Sequence, residues 1–140
     1  MFQGQYEHSL DGKGRLILPV RIREDLGSHF VLTKGMDGCL YIFPPDSWDT
    51  FSEKLQELPS SDSRVRRLVR HFIGSAVVCD TDKQGRFLIS PVLRNYAGIE
   101  KDVTVIGVTD RIELWAAQKY SSYEEDADES IEDIAGSLVF

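Results

Sequence analysis

A near-duplicate string constrains this chain more than any other feature of its sequence. LDGKGRLILP at residues 10–19 returns as TDKQGRFLISP at residues 81–91. Both copies share the spacing Asp-x-x-Gly-Arg, which comprises Asp11, Gly14 and Arg15 in the first copy and Asp82, Gly85 and Arg86 in the second. The offset is constant, since 82 minus 11 and 86 minus 15 are both 71. Two copies of one motif at this separation predict a fold made of two similar halves.

The order of the predicted elements repeats as well. Strand-like alternation and short apolar runs, followed by amphipathic helical segments, make each half strand-strand-helix-strand-strand-helix. The later elements align at an offset of 72, and we assign the extra residue to the position before the proline of the second copy. A unit of roughly 50 residues buries too little apolar surface to fold alone. We therefore expect an α+β, mainly β fold in which two β-β-α-β-β-α repeats share one core as a pseudo-twofold barrel or sandwich.

These repeats divide the chain into parts of one domain, which we expect to span residues 1–140. The predicted parts are internal repeat 1 at about 5–58, a basic linking helix at 62–76, internal repeat 2 at about 77–123 and an acidic tail at 124–140. Apolar residues are interspersed in that tail: Ile131, Ile134, Leu138, Val139 and Phe140. We expect the tail to be solvated or loosely docked. The alternative is that its apolar residues dock on a neighbouring molecule while its carboxylates repel DNA from that face.

The net charge of −7 does not exclude a nucleic-acid partner. Residues 121–140 contain seven acidic residues and no Lys or Arg. Subtracting these seven from the 23 acids of the chain leaves 16 acids against 16 bases in residues 1–120. A neutral folded part can still present a local cationic surface, and that surface governs attraction to phosphate.

The repeated turn combines hairpin chemistry with positive charge. Asp accepts backbone N–H groups across a tight turn, and Gly supplies a positive φ at its end. Neither role explains a cationic tip in both copies, so we take the charged residues as the DNA-binding candidates: Asp11, Lys13, Arg15, Asp82, Lys83 and Arg86. Two interpretations stay open, a purely structural Asp–Arg pair and an acid that aims its guanidinium at a phosphate or a guanine edge.

The linking helix is a second basic segment. Its apolar stripe consists of Val65, Leu68, Val69 and Phe72, and its remaining face carries Arg64, Arg66, Arg67, Arg70 and His71. We interpret it as a structural bridge between the halves, and direct DNA contact by this helix is the alternative.

The sequence offers no catalytic constellation. His8, His29 and His71 are separated by strands and turns, and GKG at residues 12–14 is no phosphate-binding loop because Glu7 stands where its first glycine belongs. We therefore expect no enzyme activity, no metal, no cofactor and no small-molecule substrate. Cys39 and Cys79 lie in apolar runs and are expected to be free and buried. Without a membrane segment or secretion signal, a cytoplasmic protein is expected.

Several features together resemble the MraZ family of bacterial transcription regulators, which are related to the AbrB-type swapped-hairpin DNA-binding proteins. These features are the MFxG start, both DxxGR turns, the prolines after them, VIGVTDRIELW at residues 105–115 and the two-half layout. The resemblance covers about residues 1–120. It implies a double-split or swapped-hairpin β-barrel, with the acid and arginine of each turn in contact with DNA.

The resemblance also implies a biological role. Members of this family bind short direct repeats of double-stranded DNA upstream of the cell-division and cell-wall gene cluster, and they assemble into rings. We accordingly expect a nucleoid-associated repressor that binds as a ring-like homo-oligomer. The alternative is an oligomeric assembly module that acts through protein contacts and has no specific DNA binding.

Overall fold

The computed structural model describes residues 1–138, and both halves have the order β-β-α-β-β-α. The first half contains β1 (Phe2–Ser9), β2 (Arg15–Ile17), α1 (Val20–Leu26), β3 (His29–Lys34), β4 (Leu40–Phe43) and α2 (Pro45–Gln56). The second half contains β5 (Val77–Asp80), β6 (Arg86–Leu88), α4 (Pro91–Ala97), β7 (Asp102–Thr109), β8 (Ile112–Ala116) and α5 (Ala117–Glu125). Helix α3 (Ser63–Phe72) links the halves, and α6 (Ile131–Ser137) follows the second half. The prediction of a mixed α+β fold with two repeat-like units is confirmed.

The halves exchange their first strands. A six-stranded antiparallel sheet has the order β1-β7-β8-β4-β3-β5, and β2 pairs with β6 in a separate two-stranded ribbon. Thus β1 of the first half lies against β7 of the second, while β5 of the second half lies against β3 of the first. Each half completes the sheet of the other, so neither half is a folding unit by itself.

The register of the strands follows a pseudo-twofold axis. The axis relates β1 to β5 at an offset of 71 and β3 to β7 at an offset of 73. The β1–β7 pair of His8 and Val103 therefore corresponds to the β5–β3 pair of Cys79 and Phe30, and both pairs are observed. In the ribbon, the pair Arg15 and Leu88 maps onto Arg86 and Ile17. The axis therefore passes between β2 and β6 and between β4 and β8.

The extra residues of the second copy do not precede its proline. Helices α1 and α4 begin at Val20 and Pro91, an offset of 71, so Ser90 takes the N-cap position of Pro19. The offset becomes 73 only at β3 and β7, because four residues separate α4 from β7 whereas two separate α1 from β3. The placement of the extra residue before the proline was wrong, because proline is accepted both just before a helix and at its first position.

Two apolar clusters cover opposite faces of the main sheet. On β4, Leu40 and Ile42 join the large cluster together with Leu16 and Phe87 of the ribbon. The alternate residue Tyr41 joins the other cluster, with residues of α2 and α3. The ribbon therefore lies over one face of the sheet and α3 over the other. No helix among residues 1–138 is long and apolar enough to cross a membrane.

Candidate nucleic-acid interface

One carboxylate organises the first turn. Oδ1 of Asp11 accepts hydrogen bonds from the backbone N–H groups of Lys13 and Arg15, both at 2.9 Å, and Oδ2 accepts one from Nε of Arg15 at 2.7 Å. Gly14 has φ +80°, which favours glycine, and its N–H donates to the carbonyl of Asp11. The same acid therefore holds both the backbone of the turn and the guanidinium of Arg15.

The second turn repeats this geometry. Asp82 Oδ1 accepts from the N–H groups of Gln84 and Arg86 at 2.9 Å, and Oδ2 accepts from Nε of Arg86 at 2.7 Å. Gly85 also has φ +80°. Since each ion pair uses Nε, both Nη groups of each arginine are left without a hydrogen bond within residues 1–138. The two interpretations of the turn are therefore compatible, because one arginine can form a structural ion pair through Nε and still have its Nη groups available for DNA.

Hydrogen bonding lowers the pKa of both turn acids. The backbone N–H of Arg15 has the largest effect on Asp11, and the Arg15 side chain and the N–H of Lys13 add to it, so the pKa falls from 3.8 to about 2. The N–H and side chain of Arg86 lower the pKa of Asp82 in the same way. Both acids are charged at neutral pH and keep their arginines in place.

The ribbon brings the two arginines onto one surface. Arg15 lies opposite Leu88 and Arg86 lies opposite Ile17. The intervening pair points into the core, so alternation puts these four side chains on the outer face. About 30% of each arginine side chain is exposed, 28% for Arg15 and 30% for Arg86. With ~3.3 Å per residue and ~4.8 Å between strands, their Cα atoms lie about 8 Å apart.

The lysines of the two turns occupy different positions. At the offset of 71, Lys13 corresponds to Gln84, and Lys83 corresponds to Gly12. Each tip therefore carries one lysine, but the two lysines are displaced by one residue. The structure matches Asp, Gly and Arg between the turns and leaves Lys13 and Lys83 unmatched.

Sequence reasoning missed a further arginine at the first turn. Nε of Arg94 in α4 donates to the carbonyl of Ile89 at 2.9 Å. A Cβ atom on Gly14 would lie 2.9 Å from Cζ of Arg94, so this guanidinium covers the glycine of the turn. Arg94 belongs to the second half and the turn to the first, so Arg94 adds a positive charge from one half to the cationic turn of the other.

The second turn has the symmetric partner. Nε of Arg23 in α1 donates to the carbonyl of Leu18 at 2.9 Å, and a Cβ atom on Gly85 would lie 2.9 Å from Nη1 of Arg23. The positive φ favours glycine at both positions, and the guanidinium of an arginine packs directly against each glycine. The signal was present in the sequence, because 94 minus 23 is also 71.

The basic helix α3 uses part of its charge internally. Arg64 pairs with the N-cap Asp62 at 2.7 Å, and Nη1 of Arg66 donates to the carbonyls of Ser60 and Ser61. Phe72 is buried against the sheet face opposite the ribbon. The arginines of α3 therefore lie across the sheet from Arg15 and Arg86, and one flat surface cannot collect both groups.

Comparison with known protein families also divides the chain into two similar parts, each of which contains one turn. A family model described as "MraZ protein, putative antitoxin-like" matches the chain twice, over residues 1–71 and 72–139. The chain belongs to the MraZ family. The boundary between the two matches coincides with the offset of 71 that relates the turns.

Full-length relatives support the same assignment. Proteins named "Transcriptional regulator MraZ" are 46% identical over 139 residues in Syntrophomonas wolfei and 48% identical over 139 residues in Pelotomaculum thermopropionicum. A protein of the same name in Acetivibrio thermocellus is 49% identical over 138 residues. Each alignment covers 99% of this chain and 96–97% of the relative. The resemblance inferred from the turns is confirmed, and it extends beyond residue 120.

The acidic tail lies within the second MraZ match as far as residue 139. Ser130 caps α6, and its Oγ accepts the N–H of Asp133 at 3.1 Å. No residue of α6 is buried, and Ile131 is 73% exposed. Of the three apolar residues of the tail that the structure describes, Ile131 and Leu138 are exposed and Ile134 is half-buried; Val139 and Phe140 lie outside the described residues.

The two cysteines are free and buried, as expected from their apolar surroundings. Burial raises the pKa of the Cys79 thiol to about 11 and raises that of Cys39 as well. Neither thiol has the environment of a reactive nucleophile, and among residues 1–138 no cluster of three His, Cys, Asp or Glu residues could hold a metal ion.

Proposed function

We propose that this chain is a DNA-binding transcriptional regulator that places the β2–β6 ribbon in the major groove. The observation that carries the proposal is the pair Arg15 and Arg86, each fixed by its own acid and both partly exposed on one ribbon face. The major groove, about 12 Å wide, admits a two-stranded β-ribbon. An arginine held through Nε keeps both Nη groups for O6 and N7 of guanine, and its fixed position reduces the side-chain entropy lost on binding.

The remaining cations fit phosphate contacts. Lys13 and Lys83 extend from the turn tips, and Arg94 and Arg23 lie over Gly14 and Gly85. In our proposal these four side chains meet the DNA backbone on either side of the groove and set the register of the ribbon. Each such contact steepens the dependence of log affinity on log salt by about 0.9.

The strand exchange supports a swapped-hairpin architecture. Each half lends its first strand to the other, and β2 and β6 pair on the pseudo-twofold axis above the sheet. We propose that the ribbon and the main sheet together form the double-split β-barrel implied by the family resemblance. Such a barrel holds the ribbon rigidly, since Leu16 and Phe87 anchor it in the large cluster.

Our proposal includes the finer role of the family. The operator is a set of short direct repeats upstream of the cell-division and cell-wall gene cluster, and a ring of copies occupies several repeats and blocks polymerase. One protomer offers few contacts, so binding needs avidity. Copies spaced by about one helical turn, ~34 Å, hold successive repeats together. A monomeric variant that bound repeats as tightly as the parent would contradict the avidity step.

A binding titration tests the interface. Arg15→Ala and Arg86→Ala should each weaken specific DNA binding about tenfold or more, and the double variant about 100-fold or more, since each removes one arginine–guanine contact. The matched control is Arg66→Ala with Arg67→Ala on α3, for which we expect a change within about threefold. If only the helix pair weakened binding, the interface would lie on α3.

One observation favours the alternative of a protein-assembly module. A groove of about 220 Å³ next to edge strand β5 is lined by apolar residues that include Val77, Val78 and Leu88, of which Val78 is 61% exposed. An apolar edge of this kind suits contact with another protein chain. Promoter DNA with and without short repeats, at two salt concentrations, separates the functions. No binding at low salt favours assembly alone, and binding indifferent to sequence contradicts the repressor.

A further inference from the structure

Two oppositely charged surfaces of this protomer do not contact each other. One is the outer face of α3, where Arg67 and Arg70 are exposed and make no hydrogen bond or ion pair within residues 1–138. The other is α6, whose acids Glu132 and Asp133 form no ion pair within the same residues. No residue of α6 is buried. Each surface therefore offers the charge that the other lacks within one protomer.

We infer that α6 of one protomer docks on the outer face of α3 in a neighbouring copy. This inference rests on the proposed ring and names the contact that joins its subunits. The occupant of α3 is a second copy of this chain, because every copy carries both of the complementary surfaces.

The outer face of α3 combines positive charge with apolar edges. At ~100° per residue, Arg67 and Arg70 point away from the buried Phe72, and Leu68 and Ile73 flank them on either side. Leu68 is 36% exposed and Ile73 is 38% exposed. A nucleic-acid backbone matches only the charge of this face, whereas an acidic amphipathic helix matches both the charge and the apolar edges.

Helix α6 has the complementary pattern. Its apolar side chains follow the spacing i, i+3, i+4 and i+7, so they form one stripe along the helix: Ile131, Ile134, Ala135 and Leu138. Ile131 is 73% exposed and Leu138 is 71% exposed. Glu129 precedes the N-cap and Glu132 lies in the first turn, so acids accompany the stripe. An isolated helix of this length is marginal in water, and docking that buries its stripe also stabilises it.

This contact has a consequence for the direction of successive copies. It is heterologous, because the helix that docks and the helix that receives it are different surfaces of one chain. Heterologous contacts form a ring when the rotation between neighbours closes, and all subunits then face the same way around the ring. The ribbons therefore follow one another head to tail, which suits the direct repeats of the proposed operator. A twofold contact between copies suits inverted repeats instead.

Docking on α3 also keeps the acidic tail away from the ribbon. Phe72 of α3 packs on the sheet face opposite the ribbon. The acids of a docked α6 are held on that side of the sheet, where they neutralise the arginines of α3. The ribbon arginines stay available for DNA.

Charge reversal tests the contact in the absence of DNA. Arg67→Glu with Arg70→Glu, or Glu129→Lys with Glu132→Lys, should raise the protein concentration at which half of the chains are assembled at least about tenfold, since like charges then face each other. Sedimentation velocity of a dilution series at about 0.1 M salt measures this concentration. All four residues are exposed, so the reversals leave the core intact.

Mixing the two variants restores complementary charges. In an equimolar mixture the acidic α6 of the α3 variant meets arginines, and the basic α6 of the tail variant meets glutamates. We expect assembly to return to within about threefold of the wild type. The matched control Arg21→Glu with Lys54→Glu reverses two other exposed bases and should change assembly less than about threefold.

A duplex with one repeat separates this contact from DNA binding. The α3 variant should bind it like the wild type, because avidity plays no part when one copy binds one repeat. If the α3 variant weakens this binding more than about threefold, the occupant of α3 is DNA and the inference is wrong.

The remaining outcomes distinguish the contact from the ring. Unchanged assembly of either variant, an equal effect of the control, or a mixture that stays unassembled overturns the inference while the ring stands. If the wild type is a monomer at every concentration, the proposed ring fails first and the inference fails with it.

Discussion

The β2–β6 ribbon and helix α3 are the two arginine-bearing regions of this molecule, and they use their arginines differently. In the ribbon, Arg15 and Arg86 are each held by a turn acid through Nε, which leaves their Nη groups without a hydrogen bond within residues 1–138. In α3, Arg64 closes onto its own N-cap and Arg66 binds loop carbonyls. The densest cluster of positive charge is therefore not the best-oriented one.

We infer from this difference that the orientation and placement of arginines, and not their number, favour the ribbon as the DNA-binding region. The ribbon is a narrow two-stranded element with an exposed outer face, whereas α3 lies on the other side of the sheet and bridges the halves. His71 of α3 and Tyr96 of α4 both make a 2.8 Å hydrogen bond to the carbonyl of Gly35, which joins the helix to both repeats. Helix α3 therefore has a structural role, because it packs on the sheet that both halves share.

The largest expected effect comes from removing the support of the ribbon. Phe87 is buried beneath it and packs edge-to-face on Phe30 at 5.0 Å. Phe87→Ala should lower the free energy of unfolding by about 3–5 kcal/mol, measured by denaturant titration, and should weaken DNA binding of the folded fraction. Phe72→Ala, the matched change beneath α3, should cost similar stability and leave the affinity of the folded fraction within about twofold. If Phe87→Ala and Phe72→Ala weakened DNA binding equally, the ribbon could not be distinguished from α3 as the DNA-binding region.

The next effect separates orientation from charge. Asp11→Asn with Asp82→Asn removes two negative charges, so simple electrostatics predicts tighter DNA binding. If the acids aim the arginines, binding should instead weaken about tenfold, because free guanidiniums lose more entropy on ordering. Fluorescence anisotropy at fixed salt measures the sign. Asp62→Asn beside α3 is the control and should not weaken binding; a tighter ribbon variant would disprove the aiming role.

A smaller effect concerns the arginines contributed by the opposite halves. Arg23→Ala with Arg94→Ala should reduce the slope of log affinity against log salt by about 1.8, since two phosphate contacts of about 0.9 each are lost. Affinity measured at four or more salt concentrations gives the slope. Arg67→Ala with Arg70→Ala on α3 should leave the slope unchanged. The reverse result would move the phosphate contacts to the helix.

The smallest expected effect is on stability at low pH. The pKa of Asp11 falls from 3.8 to about 2 in the folded chain, so its contribution is complete above about pH 4 and is lost as the pH falls towards 2. The difference in free energy of unfolding between the wild type and Asp11→Asn should therefore narrow over this range. Asp82→Asn should show the same trend. A difference independent of pH would mean that the turn acid is not stabilised by its hydrogen bonds.

The local chemistry of the site was predictable from the sequence, and its extent was not. The turns could be recognised because each is built from five consecutive residues. Arg23 and Arg94 escaped recognition because each contacts a turn that lies 60 residues or more away along the chain. Their common offset of 71 was visible, but only the antiparallel pairing of β2 with β6 explains why each arginine meets the turn of the other half, since that pairing brings the start of α4 to the first turn and the start of α1 to the second.

The two Asp-x-x-Gly-Arg turns, their cationic tips with lysines displaced by one residue, the repeated order of elements and the family could all be identified from the sequence alone. These properties depend on hydrogen bonds between near neighbours and on apolar periodicity, which a short stretch encodes completely. The tertiary structure was needed to show that both arginines share one ribbon face and that α3 lies across the sheet from them. These relations depend on pairing between strands that are distant in the sequence. This pairing is stabilised by the core that both halves share, so neither half alone specifies it.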